Sequence, residues 1–563
     1  MQAKTNSWTR SLRQVPRSAW IAVVAVGGLV VLYGAVYSVA NQQLARLLPG
    51  TIAQFVGGHD AARYEVSVGS VRLTPDLRGV TVNDLRVSLR PAASGEIAEP
   101  ALVRAANLGS LRVVGLRLMP LLRGQGIFVT SIDIDGPRFE LDFTAAASAD
   151  TTVSTEIDTS EPSSTSSASL PPTAGLEQLT IRDGSIDITR LTERGVLGSF
   201  LHGLELELTD IRVDTVTLAN PARALANSSV TVAFDSVFHV MDDSLYSLAI
   251  TGVRADSRDS VVEVGRVELM PTLEAGPFFA RQTQRADRLT IRAGPIRVGG
   301  LDFADYVRED SVAVRIIEVD SLDLHSYSDI KLDWGPRARP CRYHMDFESI
   351  PVPFRIDSIR VNDAFIRYSE LAKGSVRPGE LTLEEMNGVI TNLTNDPGRM
   401  TRETPLVVEA TAKLFGSGRM NAKLSYPLLS KTLDFDIEAS LGPMGLQVAN
   451  RFATNVAGVD VKQGRLDSLW IGTRTRSGKA QGRVYMRYRD LDFRLIDRNT
   501  GEQQVQHSVL GFVGNLVVRK NNPAKPGDKP KDGTIDYTCG KDDIAFFEFF
   551  VHSLANGLKR IVL

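Results

Sequence analysis

The segment LEQLTIRDGSIDI (residues 176–188) alternates apolar and polar side chains in two short runs, Leu179/Ile181 and Ile186/Ile188. Alternation at period two puts the apolar members on one face of a strand. Asp183-Gly184 stands between the runs and supplies the positive φ of a tight turn, so the segment predicts a β-hairpin. The phrase recurs as SIDIDGPRFELDF from Ser131, LTIRAGPIRV from Leu289, IDSIRVNDAFIRY from Ile356, which carries Ile359 and Val361, and more loosely IIEVDSLDLHSY from Ile316. A second hairpin is written in LVVEATAKLFGSGRMNAKLSYPL: Val408, Ala410 and Ala412 share a face, Gly416-Ser417-Gly418 turns, and Met420, Ala422 and Leu424 return. Strands with one apolar face must cover it. Two solutions fit: a sandwich in which each sheet covers another, or a curled open sheet whose apolar face is covered by a ligand.

The pattern divides the chain into seven stretches. Residues 1–17 carry Lys4, Arg10, Arg13 and Arg17 without an acid, and 18–40 form an uncharged apolar run about long enough to cross a bilayer as a helix. The positive-inside rule then leaves the N-terminus in the cytoplasm and sends the rest across. A cleaved signal peptide is the rival reading, since Ser38-Val39-Ala40 has the small-x-small form of a cleavage site. Residues 41–63 have helical spacing, a juxtamembrane helix interrupted near Pro49, and 64–144 read as strands. Residues 145–175 are Ser/Thr-rich with few large apolar side chains and read as a flexible linker, before strand text resumes over 176–540. In 541–563 the period becomes helical. Phe546, Phe547, Phe550, Val551, Leu554 and Leu558 fall on one face, with Asp542 or Asp543 as cap. That face either closes the end of a β stack or rests on a membrane or partner.

Composition narrows the function. With 64 basic and 66 acidic residues the net charge is -2, which leaves no basic stripe for nucleic acid. The 563 residues are too many for one ordinary core. Two cysteines, Cys341 and Cys539, make neither a disulfide scaffold nor a zinc module. The seven histidines are scattered, and Cys341-Arg-Tyr-His344 lacks a second half. Gly472-TRTRS-Gly478-Lys479 has one residue too many for a P-loop, and Ala480 stands where Ser or Thr should hold magnesium. No nucleophile or acid pair is identifiable, so the expectation is a non-enzyme without cofactor or metal.

The short basic end and single span, followed by LRLMPLLRGQGIFVTSIDIDGPRFEL, resemble the AsmA-like family of bacterial envelope proteins. So do FRIDSIRVNDAFIRYSEL, KLFGSGRMNAKLSYPL, GRVYMRYRDLDFRLI and the closing helix. The resemblance implies a mainly β fold: an elongated, curled antiparallel groove of repeated strand units, related to bridge-like lipid-transfer proteins. The N-terminal transmembrane helix would hold it in the inner membrane, with the bulk of the chain in the periplasm. The function it implies is phospholipid transport between envelope membranes, supporting outer-membrane biogenesis and integrity. About 25 strands at roughly 4.8 Å would make a groove on the order of 120 Å long. On this reading Leu179, Ile181, Ile186, Ile188, Ile359, Val361, Val408, Ala410, Ala412, Met420, Ala422 and Leu424 line the groove. The closing helix meets a membrane, or outer-membrane or other envelope proteins. The alternative is an assembly factor or scaffold that binds outer-membrane proteins by β-strand addition, and a third reading is an envelope hydrolase on a β-helix.

Overall fold

The computed structural model describes residues 64–90 (except 75 and 77), 103–117, 127–143, 173–192, 195–214, 228–241, 243–302, 311–335, 350, 352–396, 398–399, 403–428, 430, 432–497, 518–540 and 546–562, with Ser38, Gln42, Gln43 and Arg46. Almost all of the proposed span, most of the juxtamembrane helix and 145–172 of the linker lie outside them, as do Asp542, Asp543 and Cys341. Among the described residues no helix is long and apolar enough to cross a membrane. The described chain is mainly β and divides into two compact units, Met1–Leu191 with Gly203–Ala224, and Thr192–His202 with Leu225–Leu563.

In the first unit β1 (Tyr64–Leu73), β2 (Val80–Leu89) and β3 (Val103–Val114) pair antiparallel in sequence order. Two shorter strands, β4 (Ile127–Asp135) and β5 (Arg138–Asp142), lie end to end along β3, and both pair in parallel with β6 (Thr173–Thr192). The predicted hairpin at Asp183-Gly184 is therefore absent: LEQLTIRDGSIDI is a stretch of one twenty-residue strand. Asp183 has φ 52° and lies at an unpaired kink that β4–β5 matches residue for residue, Arg182 standing opposite Asp135 and Ser185 opposite Arg138; across it the apolar positions move from odd to even numbers. The parity change keeps both halves on one face. Leu179 and Ile181 register with Ile132 and Ile134, and Ile186 and Ile188 with Phe139 and Leu141.

The same correction covers the other copies of the phrase. SIDIDGPRFELDF is β4 and β5, in line rather than folded back. β7 (Gly195–Asp214) carries residues of both units. The second unit proper starts with β8 (Ser229–Val240), β9 (Tyr246–Asp256) and β10 (Val261–Pro271), paired antiparallel in order. LTIRAGPIRV is β11 (Asp287–Ala293) and β12 (Ile296–Gly299), both on β10. IIEVDSLDLHSY is β13 (Val312–Val319) and β14 (Leu322–Asp329), both parallel to β15 (Phe354–Leu371). IDSIRVNDAFIRY lies wholly inside β15, bulged at Asp363 with φ 43°.

From β15 the sheet continues antiparallel through β16 (Gly379–Thr394), β17 (Leu406–Leu414), β18 (Gly418–Tyr426) and β19 (Phe435–Leu441). The hairpin read with its turn at Gly416-Ser417-Gly418 is present as β17–β18, but its turn is one residue earlier, at Phe415-Gly416-Ser417, since Gly418 already pairs with Leu414; Ala410 stands opposite Ala422. β20 (Met444–Gly445) and β19 pair with β21 (Val459–Arg476), which is followed by β22 (Lys479–Leu495) and β23 (Asp532–Thr538). The bulges stack. Gly252, Gly265, Gly294-Pro295, Asp320-Ser321, Asn362-Asp363 and Glu385 fall at the interruption of successive strands, creasing the sheet from β9 to β16. At this crease a Cβ on Gly294, whose φ is +135°, would stand 2.3 Å from the Gly265 carbonyl oxygen, so glycine is required.

Helices are few. α1 (Ala275–Ala280) buries Phe278 and Phe279 beside Tyr246 and Tyr327. α2 (Asn450–Ala457) sets Phe452 beside Tyr368. The closing helix α3 (Phe546–Val562) presses Phe549 and Ile561, both fully buried, onto Phe435, Ile471, Val484 and Ile535.

Candidate functional site

Register places the candidate residues on one face in long rows. In the second unit Val232, Ala255, Val262, Val298, Ile317, Ile359, Ile390, Val408, Leu424 and Ile437 stand side by side on successive strands, and Thr473, Gly482 and Ile535 complete the row. A neighbouring row runs Phe234, Val253, Val264, Ile296, Val319, Val361, Gly388, Ala410, Ala422, Ala439, Ile471 and Val484. A third holds Ala412, Met420, Leu441, Leu469 and Met486. The first unit has its own rows: Leu179 aligns with Ile132, Val113, Val80 and Leu73, and Ile181 with Ile134, Leu111, Val82 and Val71. Ile186 aligns with Phe139, Ala106, Val87 and Val66.

Burial separates the ends of the second unit's face from its middle. Under α3 the face is a dry core, Ile471 and Val484 being no more than 1% exposed. Ile359, Val361, Ile390, Val408, Ala410, Ala422 and Leu424 are only half-buried, and only Ala412 of this stretch drops to 4%. A second sheet packed on that stretch would bury these side chains fully. Of the helix residues, Phe546, Phe550, Leu554 and Leu558 pack on the core cluster, Val551 is 38% exposed, and the Phe547 side chain lies outside what is described.

The opposite face is charged, in strict order. Arg254, Glu263, Arg297, Glu318 and Arg360 are neighbours across five strands, and after Val389 the alternation resumes with Glu409, Lys423 and Glu438. Arg297–Glu263 (2.9 Å), Arg360–Glu318 (2.7 Å) and Lys423–Glu409 (2.7 Å) are ion pairs. Each exposed pair contributes little alone, and together they set opposite charges directly across from one another on successive strands. Two adjoining hollows of about 500 Å³ and about 410 Å³ open among these residues and share Lys423, Glu438 and Trp470.

A half-buried polar cluster sits where the strands end. The Tyr368 hydroxyl donates to Glu370 at 2.6 Å, and Arg285 makes a 2.6 Å ion pair with Glu548 of α3 while lying 4.6 Å over the Trp334 ring. Burial pushes the Glu370 carboxyl up, against the opposing pull of the Tyr368 hydroxyl and of Arg285; Glu548 and Asp287 push the same way as burial.

Two Ser–His contacts occur, Ser199 Oγ to His239 Nδ1 and Ser369 Oγ to His325 Nε2, both 2.9 Å. Among the described residues neither ring is hydrogen-bonded to a carboxylate, so neither pair has the third group that orients a general base. The Gly472–Lys479 segment is the β21–β22 hairpin, with Gly472 inside a strand. Cys539 is disulfide-bonded; Cys341 is the sequence's only other cysteine. What the sequence did not single out is the charge ladder, Trp470 and the Arg285–Glu548 bridge. The ladder needs register to be seen, whereas Trp470-Ile471-Gly472 was legible as an aromatic two places from a glycine on one face.

No protein-family description, curated protein or solved structure matches this chain.

Proposed function

We propose that the aliphatic face of the second unit binds the acyl chains of phospholipids, in a protein of the AsmA-like type anchored in the inner membrane of a bacterial envelope and exposed to the periplasm. The observation that carries the reading is the pair of aliphatic rows running in register from β8 to β19, half-buried in their middle and backed by a face of charged and polar side chains. Nine inter-strand steps of about 4.8 Å, from β8 to β19, give roughly 43 Å of apolar surface before the dry core under α3, longer than one acyl chain. At about 0.8 kcal/mol per buried CH₂, such a surface holds a chain without a closed pocket and lets it move along the row. The groove shape, the span of residues 18–40 and transport between membranes belong to the same reading. The Cys539 disulfide supports an oxidising compartment.

Photo-crosslinking tests it. A photoreactive residue at Val408 or Leu424 is expected to give phospholipid adducts in cells, and one at Glu409 or Lys423, on the other face, to give none. Protein-only adducts at 408 and 424, or equal lipid labelling from both faces, would overturn the reading.

A further inference from the structure

Trp470 stands on the charged face, where an indole has no apolar core to fill. Its ring lies over Gly472: a Cβ on that glycine would be 2.4 Å from Cη2 and 2.9 Å from Cζ2 of the indole. Glycine two places on thus lets the ring fold down along its own strand, where Trp470 is half-buried and borders both hollows. The ring is held there. Its Nε1–H donates to Glu438 on the adjacent strand at 3.1 Å, and Tyr485 on the other neighbouring strand sets its ring 5.5 Å away at 40°.

The surroundings are polar, and their cations are paired. Lys423 is paired with Glu409 and Arg360 with Glu318, while Glu438 keeps its negative charge and accepts from the neutral indole, so neither of these cations is left for an anionic ligand. Between the ion pairs and the indole, in the row of Trp470, come hydroxyls and an amide: Thr411, Asn421 and Ser440, with Asn421 donating to Ser440 at 3.3 Å. A fixed aromatic plate beside hydroxyl and amide groups matches a pyranose, whose C–H face is apolar and whose rim is hydroxyls. Trp470 lies where the two hollows meet, and from Arg360 to Trp470 the floor crosses five strand spacings, about 24 Å. That run is longer than a single ring.

We infer that this face is a binding site for an uncharged oligosaccharide chain, one sugar stacking on Trp470 and its neighbours hydrogen-bonding along Thr411, Asn421 and Ser440. The site is on the opposite side of the sheet from the aliphatic rows and does not depend on what they bind.

Saturation-transfer NMR on the full-length chain, kept in a detergent without a sugar headgroup, tests it with chitotetraose, cellotetraose and maltotetraose as probes. At least one tetrasaccharide is expected to receive saturation, strongest at ring C–H protons. Trp470→Ala is expected to weaken its binding at least tenfold, and Trp470→Tyr, which keeps a plate and the fold, to weaken it less. Vesicles carrying a monoglucosyl lipid are expected not to compete, and competition by them would replace the chain with a lipid headgroup and overturn the inference. So would absence of transfer to all three probes by protein with native circular dichroism, or transfer unchanged in Trp470→Ala.

Discussion

Glu370 is held at the end of β15 with its carboxylate largely buried, near Tyr368, Arg285, Glu548 and Asp287. Its folded pKa is raised, so between the ordinary glutamate value and the raised one the folded state holds a proton that the unfolded state has released. Stability contributed there is present at low pH and falls as pH rises through that window. Glu370→Gln keeps the acceptor for Tyr368 and removes the charge; it is expected to raise the urea midpoint at neutral pH and to flatten its fall with rising pH. An unchanged pH slope would refute the assignment. Asp434 behaves oppositely: burial pushes it up, but hydrogen bonds from the Ser477 backbone, Ser430 and Thr432, with Arg476 nearby, hold it below the usual range. Its stabilisation is lost as pH falls. Neither group was legible in the sequence, because both depend on partners brought together by folding.

At the scale of the element, the bent strand is the recurring device. In β17 and β18 alternation placed Val408, Ala410 and Ala412 on one face and Met420, Ala422 and Leu424 on the returning strand; that Ala410 stands opposite Ala422 came from the structure. The hairpins at Asp183, Gly136 and Asp363 were misread because an interruption within a strand and a two-residue turn leave the same trace in the sequence: an Asp or Gly, then apolar positions of the other parity. Only pairing partners separate the two, and β6 and β15 each run straight on past the interruption. Asp363 adopts φ 43°, a region that costs a side chain about 1 kcal/mol. Asp363→Gly is therefore expected to be neutral or stabilising by up to about 1 kcal/mol, and Asp363→Val, β-branched, to destabilise by more than that. Equilibrium denaturation of the two variants checks the order; equal effects would remove the bulge as the reason for the aspartate.

Across the whole molecule, what the sequence could not supply was register, and register is what turns isolated alternations into continuous rows on one side and a ladder of opposite charges on the other. The choice between a sandwich core and a ligand-covered face rests on it too. Ala422 gives the sharpest contrast, because it is half-buried amid the rows. If the face is wetted between lipids, Ala422→Asp is expected to leave the protein accumulating at near-normal levels while lipid adducts from positions 408 and 424 drop severalfold. In a dry core an unpaired carboxylate would cost several kcal/mol and the protein would be lost. Western blotting beside the crosslinking decides between them. The stacked crease has a further consequence, for how such a chain can change its length. Loss of one residue at Asp363 would rotate everything beyond it in β15 by one side-chain position, exposing Ile366 among charges. Duplication of a whole strand pair, each copy bringing its own bulge at the same distance from its ends, would leave every row unbroken. Genes of this kind are thus free to grow by copying pairs and barred from drifting by single codons within a strand.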